Sequence, residues 1–369
     1  MLHKKRGGDK MTNIIDYVKK YGNKSFLDLE FNDLDAAIFS LLSYIDFYNI
    51  VPSKKREISL KNALDYFLTF YDLKKFIRHG FSRKELLTLC KLIKDKERYK
   101  DIKLLNYIYK TDWQEQFGAL TLKLPNGITV VSFEGTDHTL AGWEEDFTMS
   151  YKFPVSCETT AIKYLNNISI FTKQLIIVGH SKGGHLSIVA SMFANPLIKM
   201  KIKKVYNFDG PGLRSNIIKS HKYHSISKKL SHIIPDHSII GLLLRHNSNL
   251  TVVSSTRKDF YAHSIFNWQT EKTKFKTSKL SQLSANLDKS IILWLDEHND
   301  YERENIVKNL FEYLRKNGIT DVTKLVKLKT LFTLIKNRKD LDKETKNVLA
   351  NFIKFNYDYH VNNKQNTIE

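Results

Sequence analysis

An α/β fold built on a mostly parallel sheet, with helices layered at both ends of the chain, is what this sequence predicts, and three observations carry the prediction. Between residues 101 and 280, short β-rich runs alternate with stretches of helical period, the pattern of a sheet covered on both faces. A glycine-flanked serine, Gly179-His180-Ser181-Lys182-Gly183, stands where one of those runs gives way to a helix. The first hundred residues, and those from about 281 onward, carry helical periodicity only.

Taken in order, Asn32 or Asp33 can cap a helix in which Leu34, Ile38, Leu41, Leu42 and Ile45 share a face, and Ser59 can cap another over 60–73. Ser82 opens a third over 83–96, with Leu86, Leu87, Cys90 and Ile93 together. Near Asp101 the period changes. Strands are expected at 103–109, 118–124 and 128–133, the last two joined by the turn Pro125-Asn126-Gly127. A helix over 161–172, a buried strand over 174–178 and a helix over 184–194 follow. Further strands are expected at 202–208, 230–234 and 250–254. Gly318 marks a stop between two helices of the tail. The layers thus run 1–100 (helical), 101–280 (sheet core) and 281–369 (helical appendage).

A composition that is 42% hydrophobic and 27% charged excludes disorder and a disulfide scaffold as the main architecture. The two cysteines, Cys90 and Cys157, belong to no Cys-x-x-Cys pair or zinc-spaced cluster, so neither metal nor cofactor is expected. The basic start, residues 1–10, lacks the apolar stretch of a secretory signal, and no apolar run approaches membrane-spanning length. A cytoplasmic protein is expected. The 59 basic residues exceed the 39 acidic ones by 20, and residues 199–280 alone carry 16 against 4. Such a field favours anionic partners; an anionic membrane surface fits, whereas no nucleic-acid-binding signature accompanies the charge.

Chemistry concentrates at Ser181. A sharp strand-to-helix turn lifts a serine hydroxyl clear of a sheet, tolerates only small residues two positions either side, and aims the next backbone N–H, here that of Lys182, at a developing oxyanion. Serine needs a histidine base held by a carboxylate. His263, in a loop past the last strand, is the expected base, with His237 and His246 as alternatives. Asp236, just past the strand at 230–234, is the expected acid. Asp209, followed by the rigid Gly210-Pro211-Gly212, is the alternative. The second oxyanion donor is expected from Gly135-Thr136, through the N–H and hydroxyl of Thr136. In residues 143–157 apolar side chains alternate with polar ones, Phe147, Met149, Tyr151 and Phe153, which suits a mobile cover over an apolar pocket; a fixed element on the core is the alternative.

These residues resemble the class 3 (fungal-type) lipase branch of the α/β-hydrolases, in which a strand ends in F-R-G-[ST], a Trp follows, and G-H-S-x-G-G forms the turn. The chain is more similar still to a family of lipase-like proteins from low-GC Gram-positive bacteria. The matching motifs are Asn32-Asp33-Leu34-Asp35, Gly135-Thr136-Asp137, Gly142-Trp143, the run from Gly179 to Gly184, and Asp209-Gly210-Pro211-Gly212. That resemblance implies an α/β-hydrolase core and lipid esters among the substrates. Glu134 replaces the lipase Arg and Lys182 the usual Leu, a substitution pair able to form an ion pair. The expected function is therefore a serine hydrolase cleaving carboxylic esters, acyl lipids among them. The alternative is a non-catalytic binding or regulatory protein on the same fold.

Overall fold

The computed structural model describes residues 12–52, 56–70, 82–112, 115–137, 139–168, 172–246, 250–258, 260–320, 333–334, 336–337, 339 and 341–350. Paired caps begin the N-terminal layer. Helices α1 (Ile14–Tyr21) and α2 (Asp33–Leu42) each follow an asparagine, Asn13 or Asn32, whose side chain accepts from the first turn. An aspartate three residues on, Asp16 or Asp35, reaches back to the asparagine N–H. Asp35 also lies against the fully buried Arg98, whose Nε and Nη2 donate to its two oxygens at 2.8 and 2.5 Å. The hydroxyls of Tyr17 and Tyr99 donate to the same carboxylate at 3.1 and 3.0 Å. Arg98 also donates to the carbonyls of Leu29 and Glu30. Burial opposes the guanidinium charge, but Asp35 outweighs it and raises the Arg98 pKa above its ordinary value.

The strands of the main sheet are β1 (Ile58–Ser59), β2 (Lys103–Thr111), β3 (Gln116–Lys123), β4 (Ile128–Phe133), β5 (Gln174–His180), β6 (Ile202–Phe208), β7 (Leu230–Pro235) and β8 (Leu250–Val253), and Thr270–Glu271 and Lys274–Phe275 pair separately. Strands β1 to β8 form one eight-stranded sheet in sequence order. Ladders from β1 to β4 are antiparallel, and those from β4 to β8 are parallel. The mostly parallel α/β sheet is thus as expected. Gly127, at φ 86°, makes the β3–β4 turn.

Alternation along β5 feeds two cores. Ile176 and Val178 face the N-terminal layer, which α3 (Leu60–Phe70) and α4 (Arg83–Ile93) complete. Leu175 and Ile177 face the other side, packed with Leu165 of α6 and Leu186 of α7. The connection from β4 to β5 carries α5 (Leu140–Thr148) and α6 (Ser156–Asn166), and that from β5 to β6 carries α7 (Lys182–Phe193) and α8 (Pro196–Lys201). Short helices α9 (Ser215–Ile218) and α10 (His221–Ser227) precede β7, and α11 (Gln282–Glu297) and α12 (Asp300–Lys316) follow the sheet. Gly318, at φ 72°, lies just past α12.

Of the two readings open for residues 143–157, the structure shows the packed element: the segment begins within a helix that lies against the tail. Thr139 caps Gly142, and Leu140, Trp143 and Phe147 recur at helical spacing along α5, packed with Val307, Leu310 and Phe311 of α12. The two-residue alternation read from the sequence is overridden because this apolar face finds a partner in the tail. Cys90 and Cys157 are both buried and unbridged. No described helix is long and apolar enough to cross a membrane.

Candidate active site

Ser181 stands between β5 and α7 with φ 59° and ψ −135°, a conformation that costs a non-glycine residue roughly 1–3 kcal/mol. Its N–H donates to the Phe208 carbonyl of β6 at 2.9 Å, which ties the turn to the next strand. The flanking glycines are steric necessities. A Cβ on Gly179 would lie 2.0 Å from the Gly183 carbonyl oxygen, and one on Gly183 would lie 2.1 Å from that of Phe133.

His263 ends the short turn Phe260–His263 and lines the same cavity as Ser181. Its Nδ1 donates to Oδ2 of Asp209 at 2.7 Å. Asp209 is fully buried at the end of β6, at φ 48°, and its other oxygen accepts from the Ser238 hydroxyl at 2.5 Å and the Gly241 N–H at 3.1 Å. A Cβ at Gly241 would come within 2.3 Å of that oxygen. Asp236, the first-choice acid, is turned elsewhere: its carboxylate accepts from His237 at 3.0 Å, the Ser255 N–H at 3.2 Å and the Ser278 hydroxyl at 3.2 Å. The geometry therefore sets His263 on the alternative, Asp209. Asp236 fastens the end of β7 to the chain before α11, because its backbone carbonyl also accepts from Ser281. His246 lies 3.7 Å from Asp288, away from this cavity. His185, on α7, is buried between Glu158 and the Gly212 carbonyl, each at 2.7 Å.

The loop after β4 packs directly on the turn, since a Cβ on Gly135 would fall 3.0 Å from Cβ of Ser181. Thr136 lines the cavity, but its hydroxyl donates to Oδ2 of Asp146 at 2.5 Å. Of the two donors expected of Thr136, the hydroxyl is thus committed to Asp146. Lys182 contributes the first N–H of α7, while its ammonium turns inward to the Gln116 carbonyl at 2.8 Å and Glu145 at 3.3 Å. Its carboxylate partner is Glu145, where the sequence pointed to Glu134. Burial would neutralise Lys182, but the charges of Asp146 and Glu145 outweigh it and raise its pKa.

Asp146 is the perturbed acid of the cavity. Burial pushes its carboxyl from 3.8 up to about 6, although Lys182 lies 3.9 Å away, and its Oδ1 has no hydrogen-bond partner. Between about pH 4 and 6 the folded protein keeps this proton and the unfolded chain does not. Stability is therefore expected to fall as pH rises through that window, by roughly 3 kcal/mol at most. Asp146→Asn is expected to remove this component, and the difference in unfolding midpoint between the two proteins at pH 4 and pH 7 measures it. A difference that does not change with pH would contradict the assignment.

Two further residues join the site without having been singled out in the sequence. The His180 ring lies 4.4 Å from that of His263, and its Nε2 meets the His263 carbonyl at 2.8 Å. A carbonyl only accepts, so Nε2 carries a proton, while Nδ1 lies 2.9 Å from the Tyr44 hydroxyl, which also reaches the His180 carbonyl at 3.3 Å. Tyr44, just beyond α2, is buried against Gly135 and His180, and the N-terminal layer thereby touches the loop and the turn, with His180 standing between it and His263. His180 lies inside the glycine motif and was open to notice; Tyr44 is 136 residues away and carries no local signal.

No curated protein matches the chain. Among solved structures, the crystal structure of M37 lipase is similar at 14% identity and a TM-score of 0.36, over 70% of this chain and 79% of that one. Residues 93–312, more than half of the chain, match the sequence model of the Mbeg1-like family. They span the glycine loop at 135, Ser181, Asp209 and His263, and on that match the chain belongs to the Mbeg1-like family.

Proposed function

We propose that this protein is a serine hydrolase that cleaves carboxylic esters through an acyl-enzyme on Ser181. The observation that carries the reading is the 2.7 Å bond from His263 to the buried Asp209, in the same cavity as a serine at φ 59°. Asp209 keeps the Nδ1 proton in place, so Nε2 of His263 is the basic nitrogen and takes the Ser181 hydroxyl proton as Oγ attacks the ester carbonyl. The N–H groups of Lys182 and Thr136 receive the negative oxygen of the tetrahedral intermediate. Its collapse breaks the bond to the alcohol, which leaves with the proton from His263. Water, deprotonated by the same nitrogen, then releases the acid and restores Ser181.

A fluorophosphonate probe reacts with an activated serine and ignores ordinary hydroxyls. We expect stoichiometric labelling of the wild-type protein at Ser181 and none in Ser181→Ala. Equal labelling of the two proteins would refute the assignment. A folded wild-type protein that takes no label at all would favour a non-catalytic binding role for the same cavity.

A further inference from the structure

The cavity that holds Ser181 has a volume of about 450 Å³, and its outer wall is supplied by the tail of the chain. Leu287, Ile291 and Trp294 of α11 and Ile306, Val307 and Leu310 of α12 line it opposite the residues of the sheet core. These helices are fastened down by the ion pairs of Arg315 with Glu144, Arg214 with Asp300 and Arg245 with Asp296. Away from the reacting groups and the Thr136–Asp146 pair beside them, the hydroxyl and carboxylate side chains of the lining are already engaged. Ser290 donates to the Asn286 carbonyl, Ser150 to that of Phe147, and Asp137 accepts from Thr139. A polar headgroup would find no partner there and would lose its hydration, whereas a hydrocarbon chain loses nothing.

We infer that the substrate carries one unbranched acyl chain in this cavity, and that the α11–α12 pair sets the length it accepts. The inference takes its orientation from the ester-cleaving reading: the acyl carbonyl lies at Ser181, the chain runs under the tail helices, and the alcohol leaves toward solvent. At about 450 Å³ the cavity lies in the lower half of the usual range for ligand pockets, which suits one chain and not a two-chain lipid buried whole. Ile291 and Ser290 are the wall positions at which added bulk should shorten the chain accepted.

Two ester series test it: 4-nitrophenyl esters from acetyl to hexadecanoyl, and acetates of alcohols of matching lengths. We expect kcat/KM to rise about fourfold per methylene along the acyl series until the cavity is filled, the equivalent of about 0.8 kcal/mol per buried CH₂, and to be flat along the alcohol series. Ile291→Trp and Ser290→Trp should each lower the dodecanoyl-to-butanoyl ratio at least tenfold. Leu283→Trp, on the same helix but exposed and outside the lining, should leave the ratio unchanged. A flat acyl profile, or one that follows the alcohol instead, would overturn the inference.

Binding keeps this test separate from catalysis. Bromine-substituted hexadecanoate should quench tryptophan fluorescence saturably in Ser181→Ala, through the cavity residues Trp143 and Trp294, and lose that effect when both become Phe. Saturable quenching in Ser181→Ala, when the wild-type protein hydrolyses no ester, would uphold the chain-binding cavity and defeat the hydrolase reading. Absence of quenching alongside brisk hydrolysis would do the reverse.

Discussion

Asp209→Asn is expected to lower turnover of a 4-nitrophenyl ester by about 10⁴, while Asp236→Asn keeps it within a few-fold of wild type. The first figure is carried over from the serine-protease case, in which an amide in place of the orienting carboxylate leaves the geometry intact but strands the imidazole in the wrong tautomer. The same logic applies here because Oδ2 of Asp209 is the acceptor for Nδ1 of His263, whereas both oxygens of Asp236 are engaged by His237, Ser255 and Ser278. The loss should fall on kcat with little change in KM, since neither aspartate faces the apolar part of the cavity. Equal losses in the two variants would refute the pairing.

Arg98→Met is expected to lower the free energy of unfolding by about 3–5 kcal/mol, the usual consequence of stranding one member of a buried ion pair. Asp35 would keep the two tyrosine hydroxyls and the Asn32 N–H but lose the bidentate guanidinium contact. The double variant Arg98→Met/Asp35→Leu should recover part of the loss, because neither member is then left charged in the interior. Urea unfolding of wild type, Arg98→Met, Asp35→Leu and the double variant measures the coupling through the midpoint and its slope. A single-variant loss below about 1 kcal/mol would contradict this account. Asp35 stands at the start of α2 and Tyr44 just beyond its end, so a weakened layer should also slow labelling of Ser181.

Much of the sheet was legible because its strands are locally coded. The bounds of β4 and β6 coincide with their apolar runs, and β5 extends two residues past its run because the Gly179-His180 approach to the turn is still paired with β6. The serine was legible for a related reason. A backbone at φ 59° with carbonyls pressed on both sides demands glycine at fixed offsets, and that demand is visible in the sequence. The acid was not. Asp209 and Asp236 both stand just past a strand, and what separates them is Ser238 and Gly241 reaching back from beyond the next strand. The same distance hid Tyr44, and it left two readings open for the segment of α5, whose partner lies in the tail.

A sheet laid out in chain order also has a consequence for synthesis. Each strand from β2 to β8 emerges from the ribosome when the strand it pairs with has already been made, so the ladder can grow at one edge without threading or displacement. The unprotected edge is always the newest strand, and the next segment of the chain covers it. The groups around the cavity arrive in the same direction: Tyr44 with the first layer, then Thr136, Ser181, Asp209, His263 and finally the wall from α11 and α12. A nascent chain therefore carries Ser181 before His263 has been made, and the two can share a cavity only after β8 has been synthesised. Vectorial growth thus assembles the cavity from the sheet outward, and the wall from α11 and α12 closes it last.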